Sequence, residues 1–373
     1  MIDKNKSLQL KGIAILLMLA HHLFIFYDRI PFGFSAKSNI EISGFDLAFI
    51  IGYFGKICVA LFMFLGGYAL YKSADDQISL LERFKKIYVK YWQVFLIFIP
   101  IGILFFSNQQ QYTENLLFSN RFNHISLKDL VSDFFALTSN FNFEWGFLRT
   151  YFFAMFEGCV FIQVFKKNNK VYVETFTIII LQIMFCTIFP NLGNVLKIGN
   201  LNNNYYYLNI FLTSTYNCLL FLGIIFCKYG IFERWSESFK KYNKIETILI
   251  CLIGIMLCIY MRVIFFDDQF DLLITPLFII FCIQLIKNLP FIDKPLVFLG
   301  KHSTNMWLIH TFYCYYFYPF ARLVYMSNNV ILQFITLLIL SLVSSMLTEK
   351  IWKIIKKIYI FLRSEKKIFK ICK

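Results

Sequence analysis

The chain has 373 residues, of which 58% are apolar and 20% aromatic, while only 16% are charged. A soluble globular chain is nearer half apolar and a quarter charged, so this composition excludes a soluble enzyme and a disordered chain. The formal net charge is +15, but the cations lie between apolar segments instead of forming one basic surface, so no nucleic-acid partner is predicted.

The apolar residues are gathered into about ten runs, each close to the roughly 20 residues that cross a bilayer as a helix. We therefore predict an all-α fold, a polytopic transmembrane helical bundle of about ten spans. The predicted spans lie near residues 9–27, 47–70, 91–106, 147–165, 172–190, 205–227, 245–265, 271–287, 302–320 and 331–349.

Most of the 37 Lys and Arg residues fall in alternate connections between these spans and after residue 349. The positive-inside rule assigns that side to the cytoplasm, which predicts an even number of spans and two cytoplasmic termini. We expect an integral-membrane domain over 1–349 and a basic cytoplasmic tail over 350–373. The expected location is the plasma or inner membrane, and the abundance of Ile, Lys, Asn and Phe is typical of an AT-rich bacterial genome.

The ten cysteines do not form a recognisable framework. Nearly all lie within or at the edge of the apolar runs, where a free cysteine behaves as a small hydrophobic residue. No spacing typical of a zinc site is present in the sequence, so no metal is expected.

The first predicted span contains Lys11 and a histidine pair, His21 and His22. Eleven residues at 100° each return Lys11 and His22 to within about 20° of the same helix face, about 16 Å apart along the axis. His22 could exchange a proton near neutral pH, or it could form a hydrogen bond between helices. His21 points about 100° away and is the candidate for a structural role.

The connection between the second and third spans carries four cations within eight residues: Arg83, Lys85, Lys86 and Lys90. Such a segment can bind lipid headgroups or simply follow the topology rule. It can also bind an anionic cytoplasmic ligand with several phosphates. The segment by itself does not distinguish these possibilities.

Further ionisable residues lie near the predicted outer ends of later spans. Glu144 and Arg149 are at the start of the fourth span, with Glu157 about two turns deeper, and Arg262 and Asp271 flank an outer turn. Ionisable groups inside a bilayer are costly and most often functional. Arg262 and Asp271 could instead form a salt bridge or lie in a solvated loop.

A polar run opens the ninth predicted span, from Gly300 to Asn305. Ser303 and His310 are seven residues apart and therefore share one helix face. A polar stripe of this kind either lines a cavity or holds helices together.

Together these motifs resemble acyltransferase family 3, integral-membrane proteins that transfer acyl groups, most often acetyl, to extracytoplasmic glycans. The resemblance covers residues 8 to about 349 and rests on Lys11 to His22, Leu61–Tyr68, Arg83–Trp92, Trp145–Tyr151 and Gly300–His310. The sequence departs from the family pattern at Lys11, where Arg is usual, at Gly66, where Ser is usual, and at Val89, where Pro is usual.

The resemblance implies that His22 acts as general base or transient acyl acceptor. It implies a donor site for acyl-CoA, with acetyl-CoA as the expected co-substrate, at Lys11, Arg83, Lys86, Lys90 and Ser303. Acceptor-side or structural polar residues would be Glu144, Arg149, Arg262, Asp271 and His310. The expected partners are acyl-CoA, a surface glycan or glycolipid acceptor, and the lipid bilayer. A transporter or flippase of a lipid-linked glycan is the alternative, although paired broken spans typical of transporters are not evident in the sequence.

Overall fold

The computed structural model describes residues 2–74, 80–119, 121–196, 205–265 and 268–371. It is 80% helical with almost no strand, which confirms the predicted all-α polytopic bundle. In chain order the helices are α1 Lys4–Phe24, α2 Leu47–Gly55, α3 Ile57–Lys72, α4 Leu80–Phe106, α5 Leu116–Ser119, α6 Leu127–Phe134, α7 Gly146–Val164, α8 Val171–Ile183, α9 Phe189–Val195, α10 Tyr205–Lys228, α11 Ile231–Ser238, α12 Lys244–Phe265, α13 Asp271–Asn288, α14 Asp293–Thr311, α15 Tyr318–Tyr325 and α16 Val330–Ile371. Two short strands, β1 Glu41–Ile42 and β2 Phe45–Asp46, pair antiparallel before α2.

Within the described residues, eight helices are long and apolar enough to cross a membrane. A ninth candidate arises if Tyr216–Lys228 and Ile231–Lys241, which are bent by 70°, count as one span. The predicted span near 302–320 is not among these candidates, because α14 carries a polar run at residues 301–305 and ends at Thr311, where the π-helical turn Phe312–Tyr316 separates it from α15. The count of ten and the cytoplasmic termini therefore stay predictions. Helix α16 continues past residue 350, where the predicted tail begins.

Helices α1 and α14 pack with their backbones almost in contact. A Cβ atom added at Gly12 would stand 2.3 Å from the carbonyl oxygen of Leu296, and one added at Gly300 would stand 1.9 Å from that of Leu8. Only glycine permits so close an approach, which is the usual role of small residues between membrane helices. The polar run that begins at Gly300 therefore lies directly against the first helix.

The two helices run in the same direction. At one end Gln9 Nε2 donates to Asp293 Oδ1 over 2.5 Å. At the other end the rings of His22 and His310 are 4.8 Å apart between centroids. This parallel packing brings together two histidines that are 288 positions apart in the sequence.

Helix α16 covers another side of α14 and runs in the opposite direction, because Tyr313, just after α14, bonds Ser344, whereas His302, earlier in α14, lies 3.9 Å from Glu349, later in α16. His302 Nδ1 lies 3.0 Å from the Ser345 hydroxyl. One turn further along α16, Glu349 Oε1 accepts a hydrogen bond from Asn305 and pairs with Lys90 of α4, both at 3.4 Å. Part of the polar stripe of α14 is therefore used to hold three helices together.

The long connection between α4 and α7 folds back onto α4. The Trp92 indole donates to the carbonyl oxygen of Phe134 at 2.9 Å, and the Tyr91 hydroxyl donates to that of Asp133. The connection then ends in the short 3₁₀ segment Phe143–Trp145. This return places Glu144 beside the histidines of α1 at the start of α7.

Candidate active site

One cavity of about 190 Å³ lies among α1, α3, α4, α7 and α14, and we call it the basic cavity. Lys11 and Arg83, two of the residues predicted for a donor site, supply its cationic groups. Gly66 also lines it, and a Cβ atom there would stand 2.9 Å from the Tyr151 hydroxyl, so the glycine leaves room for that ring. The other lining residues are Phe62, Leu65, Ala69, Ile87, Phe147, Leu148, Thr304 and Trp307.

Arg83 is fixed against the end of α3. One of its terminal nitrogens donates to the carbonyl oxygen of Ala69 at 3.2 Å and to the hydroxyl of Ser73. Its Nε is buried and has no hydrogen-bond partner in the part of the chain that the structure describes. Lys86, three residues further along α4, is exposed and does not line the cavity. Arg83 therefore has hydrogen-bonding capacity left for a ligand, whereas Lys86 faces outward.

Two other predicted donor-site residues have protein partners. Lys90 pairs with Glu349 of α16. The hydroxyl of Ser303 donates to the carbonyl oxygen of Gly300 within its own helix at 2.9 Å. The residue that α14 presents to the basic cavity is Thr304, the neighbour of Ser303. The structure therefore brings Lys11 and Arg83 together, but not the whole predicted donor set.

A second cavity, of about 300 Å³, lies on the other side of Phe147 and Trp307, and we call it the histidine cavity. Its polar lining residues are His21, His22, Arg29, Lys56, Glu144, Thr150 and Tyr216. Lys11 and His22 thus open into different cavities, about 16 Å apart along one helix. The register on α1 therefore gives each of the two adjoining cavities one of these residues.

The His22 ring is surrounded by groups that can orient it. Its Nδ1 is 3.8 Å from Glu144 Oε1 and 3.4 Å from the Tyr315 hydroxyl. Tyr315 also donates a hydrogen bond to the backbone carbonyl oxygen of His22. A carboxylate on one side of an imidazole stabilises the ring when it gains a proton, which is the arrangement a general base requires.

Arg29 holds Glu144 in this position. The guanidinium Nη1 is 3.2 Å from Glu144 Oε1. The guanidinium carbon lies 3.7 Å from the ring centroid of Phe26 and 4.1 Å from that of Phe118, so the cation is stacked between aromatic faces. Burial lowers the pKa of Arg29, but Tyr315 and Glu144 outweigh it and the net direction is upward. The arginine therefore stays charged beside Glu144.

The other two histidines near His22 have different partners. His21 Nδ1 donates to the carbonyl oxygen of Gly52 at 2.9 Å, which joins α1 to α2. His310 Nδ1 lies 2.8 Å from the carbonyl oxygen of Trp307, so this nitrogen carries the proton. The opposite nitrogen, Nε2, is buried and has no partner among the described residues. His310 thus presents an unused acceptor next to the His22 ring.

Arg262 and Asp271 form a buried salt bridge. The guanidinium Nε and Nη2 lie 2.8 and 3.1 Å from the two carboxylate oxygens of Asp271. Nη2 also pairs with Asp268 at 3.0 Å, and Nη1 donates to the carbonyl oxygen of Tyr53 at 2.5 Å. Of the interpretations left open by the sequence, the geometry favours the salt bridge, which joins the end of α12 to the start of α13 and to α2.

Arg149 and Glu157 on α7 also lie outside both cavities. Arg149 Nη1 is 3.5 Å from the carbonyl oxygen of Ala136 in the folded-back connection. Glu157 accepts a hydrogen bond from the side-chain amide of Asn217 on α10. Both residues therefore contribute contacts between elements of the bundle.

Two residues that contact His22 or its neighbour Glu144 were not predicted. Arg29 follows α1 in a short 3₁₀ turn, and its only sequence signal is an isolated cation seven residues after His22. Tyr315 lies in the π-helical turn Phe312–Tyr316, where the α-helical spacing from His310 no longer applies. The aromatic run around Tyr315 gives no periodic signal that would single it out.

Comparison with known proteins gives one match. A family model for an acyltransferase domain, that of acyltransferase family 3, matches residues 6–350, nearly the whole chain. A search of curated proteins and a search of solved structures each gave no match.

Proposed function

This chain belongs to acyltransferase family 3, and we propose that it moves an acyl group, acetyl in the simplest case, from cytoplasmic acyl-CoA to a hydroxyl group of an extracytoplasmic glycan or glycolipid. The observation that supports the proposal is the pair of adjoining cavities. One contains the cations Lys11 and Arg83, and the other contains His22 beside Glu144. Donor and acceptor could therefore approach from opposite ends and react inside the bundle.

The donor would be held by its phosphate groups. Arg83 offers a planar fork that suits phosphate oxygens, and Lys11 offers a point charge deeper in the cavity. Lys90, close to the basic cavity, and Lys86, on the outer face of α4, would add positive potential. An extended pantetheine arm can cover the separation of about 16 Å between Lys11 and His22. The thioester carbonyl would thus reach the histidine cavity.

Two routes use His22. As a general base, it takes the proton of the acceptor hydroxyl while that oxygen attacks the thioester carbonyl, and the C–S bond breaks to release CoA. As a nucleophile, it first forms an acyl-imidazole with release of CoA, and the acceptor hydroxyl then attacks that carbonyl. Both routes end with an ester on the glycan and a protonated CoA thiol.

Glu144, Arg29 and Tyr315 would position the ring. Because Nδ1 of His22 faces Glu144 and Tyr315, we assign Nε2 as the nitrogen that reacts. Glu144 would stabilise the imidazolium that forms in the base route, and the Arg29 charge beside it would favour the ionised form of its carboxyl group. The Tyr315 hydroxyl would hold the turn that carries His22.

The test is the ester-linked acetate content of the surface glycan in cells that lack the gene. Complementation with the wild type should restore the acetate, and complementation with His22→Ala should not, although the variant inserts and folds. Unchanged acetate together with altered glycan export or chain length would support the transporter or flippase alternative. If the acetate content is unchanged in cells that lack the gene and the purified protein does not bind acetyl-CoA, the proposal is overturned.

A further inference from the structure

The basic cavity and the histidine cavity meet at two aromatic side chains. Phe147 and Trp307 are the residues common to both linings. Their ring centroids are 5.7 Å apart and the ring planes are at 88°, an edge-to-face contact. At this spacing the two rings touch. A thioester arm therefore cannot pass between the cavities until one ring moves.

Each ring lies three residues from a polar group beside His22. Phe147 lies in the first turn of α7, three residues after Glu144. Trp307 lies one turn before His310, and its carbonyl oxygen accepts the hydrogen bond from His310 Nδ1. Trp307 is 9% exposed. Each ring is therefore a close neighbour, along its own segment of the chain, of a group beside His22.

We infer that Phe147 and Trp307 form a portal for the acyl group, which separates the donor from the acceptor and selects the acyl chain. This inference rests on the proposed function. The thioester carbonyl must lie at or beyond the two rings to reach His22, so the acyl group passes between them. Their contact surface is then the part of the protein that senses acyl size.

The closed portal would also protect the donor. Water that reaches the thioester attacks the carbonyl carbon, breaks the C–S bond and yields a carboxylic acid and the free CoA thiol. Exclusion of water from a reactive group is a recognised function of closed active sites. A smaller residue at either position should let water reach the bound thioester when no acceptor is present.

Acyl selection should follow the size of the same two side chains. One methylene group in an apolar pocket changes discrimination by about 10- to 200-fold. Removal of the indole of Trp307 creates space for additional methylene groups at the portal. We therefore expect Trp307→Ala to raise the ratio of butanoyl-CoA to acetyl-CoA consumption by at least about tenfold.

The experiment uses purified full-length protein in liposomes and measures release of CoA thiol without acceptor. The variants are Phe147→Ala, Trp307→Ala and Trp307→Phe. Phe161→Ala is the matched control, since Phe161 is on the same helix and stacks on Phe221 at 4.7 Å but lines neither cavity. We expect faster hydrolysis for both portal alanine variants, near-wild-type rates for Trp307→Phe, and no change for Phe161→Ala.

Acetyl-CoA binding by the wild type separates the two possible failures. If the wild type neither binds nor consumes acetyl-CoA, the proposed function fails and the portal with it. If it binds acetyl-CoA, but Phe147→Ala hydrolyses it at the wild-type rate with unchanged preference for chain length, the portal alone is overturned. Folding of each variant is judged by size-exclusion chromatography. If Trp307→Ala does not fold, the portal is tested with Phe147→Ala and Trp307→Phe.

Discussion

Two buried charge clusters lie close to each other in the bundle, and they are bonded in different ways. In the histidine cavity, His22 is 3.8 Å from Glu144, and the Nε of Arg29 is buried without a partner in the described chain. In the second cluster, Arg262 uses all three of its nitrogens, and two of them bind Asp271. Arg262 is 1% exposed.

The difference teaches how to separate a reactive cluster from a structural one. A buried charge is tolerated when every polar atom has a partner, and such a group then holds elements together. A cluster that faces a cavity with looser contacts and unused donors has capacity left for a substrate. The mere presence of a charge in a predicted span does not make this distinction.

The largest expected effect is on His22. His22→Ala should lower acyl transfer by at least about 100-fold, because proton transfer by a positioned side chain contributes about 10²- to 10⁴-fold and an acyl-imidazole route would be lost altogether. The measurement is glycan acetate per folded protein. His21→Ala is the control, since His21 bonds the Gly52 carbonyl. Transfer that survives in His22→Ala would remove His22 from the reaction.

Substitutions in the second cluster, that of Arg262 and Asp271, should lower the free energy of unfolding. Arg262→Ala leaves Asp271 buried without its cation, which costs about 3–5 kcal/mol in comparable pairs. The free energy of unfolding in detergent measures this loss. The double variant Arg262→Met with Asp271→Leu should lose less, because no buried charge remains unpaired. A transfer rate per folded molecule that falls in both variants would place Arg262 at the acceptor instead.

Two glutamates, Glu144 just before α7 and Glu157 within it, allow a sharper comparison. Glu144→Gln should lower the transfer rate by about 10- to 100-fold, the value of one contact to a charged group. Binding of acetyl-CoA should stay unchanged. Glu157→Gln is the matched control, because Glu157 bonds Asn217 away from both cavities. Equal losses in the two variants would contradict an orienting role specific to Glu144.

The smallest effect is expected at the donor end. Arg83→Ala should weaken acetyl-CoA binding by about tenfold, since it removes a charge-assisted contact to phosphate. Lys86→Ala should change binding less, because Lys86 is exposed on the same helix. Isothermal titration with acetyl-CoA measures both. A larger loss for Lys86→Ala would mean that the phosphates lie on the outer face of α4.

Part of the site could be predicted because it depends on a single helix. The 100° rotation per residue placed Lys11 and His22 on one face, and in the structure each residue lines one of two adjoining cavities. The same rule could not predict that Lys86 faces away from the basic cavity, since the packing of other helices against α4 decides which of its faces is covered. Arg29 and Tyr315 were not predicted because they lie in a 3₁₀ turn and a π turn, where the α-helical spacing does not apply.

The sequence by itself determined the polytopic helical bundle, the family and the register of Lys11 and His22, because hydropathy and helical periodicity are local properties of the chain. The tertiary structure decided which polar side chains are bonded to each other, as in the pair of Arg262 and Asp271. It also decided that Phe147 and Trp307 meet between the two cavities. Such contacts join residues far apart in sequence, and helix packing, not local pattern, brings them within bonding distance.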